Sequence, residues 1–317
     1  DLEIVLRLIE STDVLIEGYR PGVMERLGLG PDICLERNPR LIYGRMTGWG
    51  QSGPRSSAAG HDINYLAATG VLNAIGPAGG RPTPPLNLLA DFGGGGMLLV
   101  TGILAALVER GRSGRGQVVD AAMAEGASLL ATMIWGYLGK GQWQEPREAN
   151  IYDGGAPHYG TYRCADGKYV ALGANEPAFW SLLLARSGVD DAELRDHRHD
   201  RARWPALRVK LAALFATRPR EEWCRRVEGS DACLSPVLGF AEAPADSQAV
   251  ARQAYISIDG TLQPAPAPRF SRTPGAVTSP PPLVGEHSRE ILRDAGYTAD
   301  EVAQLEASAV VTQAAPP

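Results

Sequence analysis

The sequence predicts an α/β protein in two parts, and three observations carry that reading. Helix-patterned and strand-patterned segments alternate over residues 1–55. Two alternating runs about an Asp-Gly turn open a new unit at residue 159. Irregular stretches at 142–157 and 258–282, the second rich in proline, flank that unit. An insert between two linkers implies a large, Rossmann-like discontinuous domain, residues 1–141 with a return at 283–317. The insert itself, 158–257, reads as a smaller α+β domain.

Residues 1–10 form a helical pattern with Leu2, Val5, Leu6 and Ile9 on one face. A strand follows at 14–17 and another at 41–46, then a loop at 48–54. A helix leading into a buried strand normally follows an earlier strand. Since the chain opens at Asp1, it reads as N-terminally truncated. Residues 62–72 form the next helix, with Ala67, Ala68 and Leu72 inward. A Gly/Pro-rich connection, 76–85, leads to Asp91. Helices are expected at 95–110 and 120–138, the second carrying Met123, Ala127, Leu130 and Met133 inward. Residues 97–108 read as buried helix, too short to span a bilayer and interrupted by Gly102.

Beyond the first linker, strands at 159–164 and 169–172 flank the turn Ala165-Asp166-Gly167. Helices follow at 177–187, 204–216 and 219–227, with a short strand at 236–238. Helices at 286–295 and 298–306 close the fold, and residues 310–317 read as disordered.

The chain has 317 residues, 44% hydrophobic and 21% charged, which is ordinary for a soluble globular protein. Its net charge of -5 argues against a general nucleic-acid binder. Cys34, Cys164, Cys224 and Cys233 are scattered, with no C-x-x-C pair and no histidine at metal spacing. They read as free thiols in a reducing, cytoplasmic compartment, and no metal site is expected. No signal peptide is visible. His197 and His199 lie in a charged, solvated stretch, and His158 follows Pro157 in a loop from which it could face a site.

The chemistry concentrates at His61 and Asp91. Each is a proton-transfer group beside glycine, and Asp91 precedes Gly93-Gly94-Gly95-Gly96. Each also has an ordinary reading: a structural histidine, and a helix N-cap. Four glycines cost helix propensity of roughly 1 kcal/mol each relative to alanine. Such a run implies that something approaches the backbone closely. A helix start after Asp91 would offer N–H groups to a developing negative charge. Two opposed acid/base groups and an anion-stabilising corner suit removal of a proton α to a carbonyl and its return to the same carbon.

Several motifs carry a resemblance. Asp13-Val14-Leu15-Ile16-Glu17-Gly18-Tyr19-Arg20-Pro21-Gly22-Val23 resembles the start of the family III CoA-transferase core. The segments Arg45 to Pro54, Gly114 to Asp120 and Gly285 to Leu292 follow in the same order. Within that superfamily, Gly60-His61-Asp62-Ile63-Asn64-Tyr65 with Asp91-Phe92-Gly93-Gly94-Gly95 is similar to the α-methylacyl-CoA racemase branch. The resemblance implies the family III fold, an interlocked homodimer, and an acyl-CoA substrate, with no cofactor beyond its coenzyme A. No nucleic acid and no stable membrane association are implied.

It also implies roles. His61 and Asp91 would flank the substrate α-carbon, and Glu176 would hydrogen-bond and orient His61. On its residues alone, Glu176 reads equally as an acid at a helix start before Pro177. Arg26 would contact the CoA phosphates through its fork of donors, with Arg20 a weaker candidate. Gly60, His61, Asp62, Ile63, Asn64 and Tyr65 would form a CoA-contacting loop, the family's other CoA contacts lying in the stretch absent before Asp1. Tyr159 would line the acyl pocket, or serve as a hairpin core residue. Two rivals stand beside the racemase: a CoA-transferase of the same superfamily with Asp91 as nucleophile, and a non-catalytic CoA-binding protein.

Overall fold

The computed structural model describes residues 2–314. They fall into two compact units, 2–237 and 238–314.

The first unit opens with α1 (Leu2–Ile9), which buries Leu6 and Ile9 while Leu2 stays largely exposed. Strand β1 (Val14–Glu17) leads through α2 (Val23–Arg26) and α3 (Pro31–Arg37) to β2 (Ile42–Thr47). The central strand β2 is buried almost throughout, as expected for a strand paired on both edges. Then come α4 (Asp62–Ala68), a π-helical segment (Leu88–Met97), and α5 (Leu98–Ser113), which returns the chain to β3 (Gln117–Ala122). The three strands are all parallel, in the order β1-β2-β3, with Glu17 opposite Arg45 and Thr47 opposite Ala122. Two helices complete this layer, α6 (Met123–Leu130) and α7 (Thr132–Gly139). The long crossover helix α5 packs on the face of β2 that Gly44 leaves open, placing Leu99 and Ile103 against the strand.

Several expectations need correction here. A helix over 120–138 is instead the end of β3 followed by two helices. The strand is set by pairing with β2, a partner 75 residues earlier, as in Ile42 opposite Gln117. The inward face of α4 is Asp62, Tyr65 and Leu66, while Ala67 and Ala68 are exposed. The helix before β3 starts at Leu88, not 95, so the four glycines lie within it. Leu88–Ser113 is 26 residues of continuous helix in which an 18-residue stretch has mean hydropathy 1.7, long and apolar enough to cross a membrane by length and composition. The core helix of a globular protein passes the same test. Its 97–108 portion is only half-buried. Leu99, Ile103 and Ala106 face the sheet, while Met97, Val100, Leu104 and Val108 are exposed.

Residues 142–157 carry no helix or strand, yet they are firmly held. Arg147 donates to the carbonyls of Asn73 and Pro77, and Glu148 accepts from the Ala78 N–H at 3.0 Å and from Arg208 at 2.8 Å. The antiparallel strands β4 (Tyr159–Arg163) and β5 (Tyr169–Gly173) follow, joined through the expected turn. Helices α8 (Pro177–Ser187), α9 (Ala192–Asp196), α10 (Trp204–Phe215) and α11 (Arg220–Val227) come next. Strand β6 (Leu234–Pro236) adds to β5, two residues earlier than expected. This region has its own core, built on Tyr162, Trp180, Phe215 and Trp223.

The second unit contains α12 (Ser247–Ala251), the hairpin β7 (Tyr255–Ile258) and β8 (Thr261–Pro264), then α13 (Ser288–Asp294) and α14 (Ala299–Ala307). Helix α14 starts at a capping box between Thr298 and Glu301. Contrary to the expected disorder, 310–314 are tied down: the Ala314 N–H donates to the Gly285 carbonyl at 3.1 Å, and Gln313 Nε2 donates to the Glu286 carbonyl at 2.6 Å. Residues 315–317 lie outside the described residues.

Candidate active site

All three parallel strands end at one cleft of about 440 Å³. Gly18 to Pro21 follow β1, Gly48 and Trp49 follow β2, and Met123 follows β3; Gly60, His61 and Tyr65 complete the wall. Ligands of open parallel sheets bind at the carboxyl ends of the strands. The corner after β1 is fixed by charge. Glu17, buried, accepts from Arg45 Nε at 2.8 Å and from the Tyr19 N–H at 2.8 Å. The other end of the Arg45 fork meets Glu25 at 2.9 Å. Burial works against the Arg45 charge, but its bonds to Glu25 and Glu17 outweigh that and raise its pKa above the ordinary value. The same bond from Arg45 holds the Glu25 carboxyl below its usual range. The sequence reading missed this group, although charged residues inside two strand patterns were a signal.

His61 is the N-cap residue of α4, in extended conformation, and its backbone N–H donates to Asn64 Oδ1 at 3.0 Å. Tyr65 anchors the loop. Its ring lies where side chains on Gly48 and Gly60 would be, its hydroxyl donates to the Gly60 carbonyl at 2.6 Å, and Trp49 packs edge-on at 4.8 Å. The Gly60–Tyr65 motif therefore divides by role. Gly60, His61 and Tyr65 line the cleft; Asp62, Ile63 and Asn64 do not. Arg26 is exposed and does not line the cleft, whereas Arg20 does.

Asp62 ties the His61 loop to Asp91. Its buried Oδ2 accepts from the N–H groups of Ala90 at 2.7 Å and Asp91 at 2.9 Å. It thereby satisfies donors in the first turn of the π-helical segment and bonds the Asp91 backbone to the residue that follows His61. The Asp91 carboxylate accepts from Asn87 Nδ2 at 3.3 Å. This revises the expected anion-stabilising corner, because the Asp91 end of the helix spends these two donors on Asp62. Among the described residues, the N–H groups of Asp62 and Ile63, beside His61, have no acceptor.

The glycine run has a structural explanation. A Cβ on Gly126 would overlap the Gly94 carbonyl oxygen, and one on Gly94 would meet the α6 backbone. What approaches the glycines is helix α6. The crossing places the Asp91 turn against the chain that follows β3.

Asp91 itself lines neither the cleft nor the apolar cavity of about 320 Å³ that Leu89, Val71, Ile75, Ala127, Leu130 and Tyr152 help to form. Tyr159 stands behind this wall, its ring edge-on to Tyr152 at 5.3 Å. Glu176 is the N-cap residue of α8, before Pro177, but its side chain makes no capping bond. It is exposed, and among the described residues no hydrogen bond joins it to His61 within the chain. His158 faces no cleft. It is 1% exposed and packed among the rings of His199, Trp180 and Trp204. Burial, with the Arg198 and His199 charges, pushes its pKa down to about 4. Nor is the 196–201 stretch wholly solvated, since Arg198 is 4% exposed. Among the described residues, no three His, Cys, Asp or Glu side chains group to hold a metal ion.

The chain matches the family model of CoA-transferase family III over residues 1–288. It is 48% identical to the α-methylacyl-CoA racemase of Mus musculus over 97% of this chain and 81% of that protein. It is 44% identical to the human α-methylacyl-CoA racemase over the same shares. Among solved structures, a CaiB/BaiF family protein from Brucella suis superposes with a TM-score of 0.78 at 26% identity, over 93% of this chain and 78% of that one.

Proposed function

The chain belongs to CoA-transferase family III, and from that premise we propose that it is an α-methylacyl-CoA racemase. It interconverts the (2R) and (2S) forms of 2-methylacyl-CoA thioesters by removing and returning the α-proton. The observation that carries the site assignment is the Asp62 bridge, which locks the His61 and Asp91 segments into one backbone unit.

In this reading His61 and Asp91 stand on opposite faces of the α-carbon. One takes the proton while the other, already protonated, delivers one to the far face. Each such group contributes on the order of 10²–10⁴-fold. The intermediate is a thioester enolate. A thioester suits the step because sulfur donates weakly into the carbonyl, leaving the α-proton more acidic than in an oxygen ester. The enolate oxygen needs preorganised donors, and the unengaged N–H groups of Asp62 and Ile63 are the nearest to His61 in the chain. The 440 Å³ cleft with Arg20 suits the CoA moiety, and the apolar cavity beside Leu89 suits the acyl chain. Arg26 would meet the CoA phosphates from outside that cleft. No group beyond the CoA of the substrate enters the chemistry.

The proposal includes an interlocked homodimer in which Glu176 of one protomer orients His61 of the other. Two observations support it: Glu176 has no capping bond and no tie to His61 within its own chain, and the outer face of α5 is apolar and exposed. A cytoplasmic site of action, without stable membrane association, is part of the same reading and is supported by four unpaired thiols.

The test is isotope exchange. In deuterated water, either configuration of a 2-methylacyl-CoA gains deuterium at C2 and loses optical purity. His61→Ala and Asp91→Asn each slow both processes by about 100-fold or more. Transfer of CoA to an added carboxylic acid, without exchange, would instead establish the transferase reading.

A further inference from the structure

Arg198 is a buried cation with no carboxylate bonded to it. The residue is 4% exposed, and among the described residues it forms no ion pair. Nη1 donates to two backbone carbonyls, Ala174 at 3.0 Å and Asn175 at 2.8 Å, and Nη2 is buried without a partner. Its surroundings do not favour a charge. His158 and His199 lie close enough to feel it, and burial lowers its pKa, opposed only by the Glu176 carboxylate. Burying a cation is costly unless it is paired and hydrogen-bonded, and here two carbonyls alone offset the cost. What Arg198 holds is the corner between β5 and α8, the two residues immediately before Glu176. Glu176 itself has no local anchor, because its side chain makes no capping bond.

We propose that Arg198 is a positioning residue for the reaction: by clamping the Ala174 and Asn175 carbonyls it sets the backbone from which Glu176 reaches the catalytic histidine. The inference rests on the reading of Glu176 given above. The cation acts in two ways. Its fork removes rotational freedom from the corner, and its charge attracts the Glu176 carboxylate across the same turn.

The experiment measures racemisation kinetics and pH–rate profiles for Arg198→Met, Arg198→Lys, Glu176→Gln and the double variant Glu176→Gln/Arg198→Met. The expected result is a kcat about tenfold lower in Arg198→Met, with KM within about twofold. Its pH–rate profile should move in the same direction as that of Glu176→Gln. The double variant should be no slower than Glu176→Gln alone, because both changes act through one residue. Arg198→Lys keeps the charge but loses the fork, and should recover part of the loss. If Arg198→Met does not fold, Arg198→Lys decides: a lowered kcat at an unchanged melting temperature supports the role, and a wild-type kcat overturns it. Wild-type kinetics in Arg198→Met beside an impaired Glu176→Gln would overturn this inference alone, as would fully additive losses. Wild-type kinetics in Glu176→Gln would overturn the assignment of Glu176 and this inference together.

Discussion

Residues 2–140 and residues 158–237 bury their chain by opposite means. The first region brings backbone against backbone. Gly94 meets Gly126, Gly44 admits α5, and the Tyr65 ring fills the space that Gly48 and Gly60 leave. The second packs large rings: Trp223 lies edge-on to Phe215 at 5.2 Å, and Phe215 lies 5.1 Å from Tyr162. The first leaves Met97, Val100, Leu104 and Val108 exposed along one face of α5, and Leu129, Met133 and Trp135 exposed on the helices after β3. The second closes around its own core. Proton-transfer groups need fixed geometry to a fraction of an ångström, and backbone contacts supply it with no rotamers to relax. A ring-filled core tolerates adjustment, which suits a region whose proposed part in the reaction is one orienting side chain, Glu176.

The largest effect expected from this contrast is at Gly126. A methyl group there must displace the Gly94 carbonyl, a backbone atom that cannot rotate away. Overpacking of this kind typically costs about 1–3 kcal/mol, and the backbone neighbour puts Gly126→Ala at the top of that range. Urea unfolding measures the loss. Deuterium exchange on the folded fraction should also fall, because the crossing carries the Asp91 turn. Full activity in a destabilised Gly126→Ala would break the link between glycine packing and catalytic geometry.

The second region offers a pH test. His158 is neutral there, its pKa lowered from 6.5 to about 4 by burial first and by the Arg198 and His199 charges next. Unfolding releases it to bind a proton at its ordinary pKa. Between about pH 4 and 6.5 the unfolded chain therefore holds more protons, and stability rises with pH in that window. The contribution is complete above 6.5 and is lost as pH falls toward 4, with an upper bound of about 3 kcal/mol. Denaturant titrations followed by tryptophan fluorescence should show that slope, and His158→Phe should flatten it. An unchanged slope in the variant would mean that other groups govern acid stability in this region.

Local chemistry made much of this legible. The β4–β5 hairpin followed from alternation and one Asp-Gly turn, and α8 from Pro177 at its first position. The positions of His61 and Asp91 beside glycine were visible because such residues break pattern. What stayed hidden depended on distant partners. Residues 120–122 pattern as the start of a helix, and only pairing with β2 makes them the end of a strand. The Gly93–Gly96 run defied helix propensity because the crossing with α6, 30 residues on, decides it. Arg198 sat unremarked in a charged stretch, since nothing local shows that two carbonyls at 174 and 175 await it. Asp62 was read as a ligand contact, while its carboxylate serves the backbone of Ala90 and Asp91.

The smallest effect sharpens the contrast most. Gly136 lies inside α7 with nothing within 4 Å of where a Cβ would stand. Like Gly111 and Gly139, it is a helical glycine of the first region that neither a contact within the chain nor a positive φ explains. Alanine there should stabilise the helix by about 0.5–1 kcal/mol through lower chain entropy in the unfolded state. Its neighbours Met133 and Trp135 carry the exposed apolar surface, so a dimer formed across this face should rest on those side chains and tolerate the methyl group. Unfolding midpoints at two protein concentrations, with sedimentation on the same samples, separate the helix gain from any change in association. If the proposed dimer forms, a small gain that leaves it intact would make Gly136 a helix defect and keep backbone-to-backbone packing confined to the crossing at the Asp91 turn. A lost dimer would instead place a partner's backbone against Gly136 and extend that mode of packing to the subunit interface.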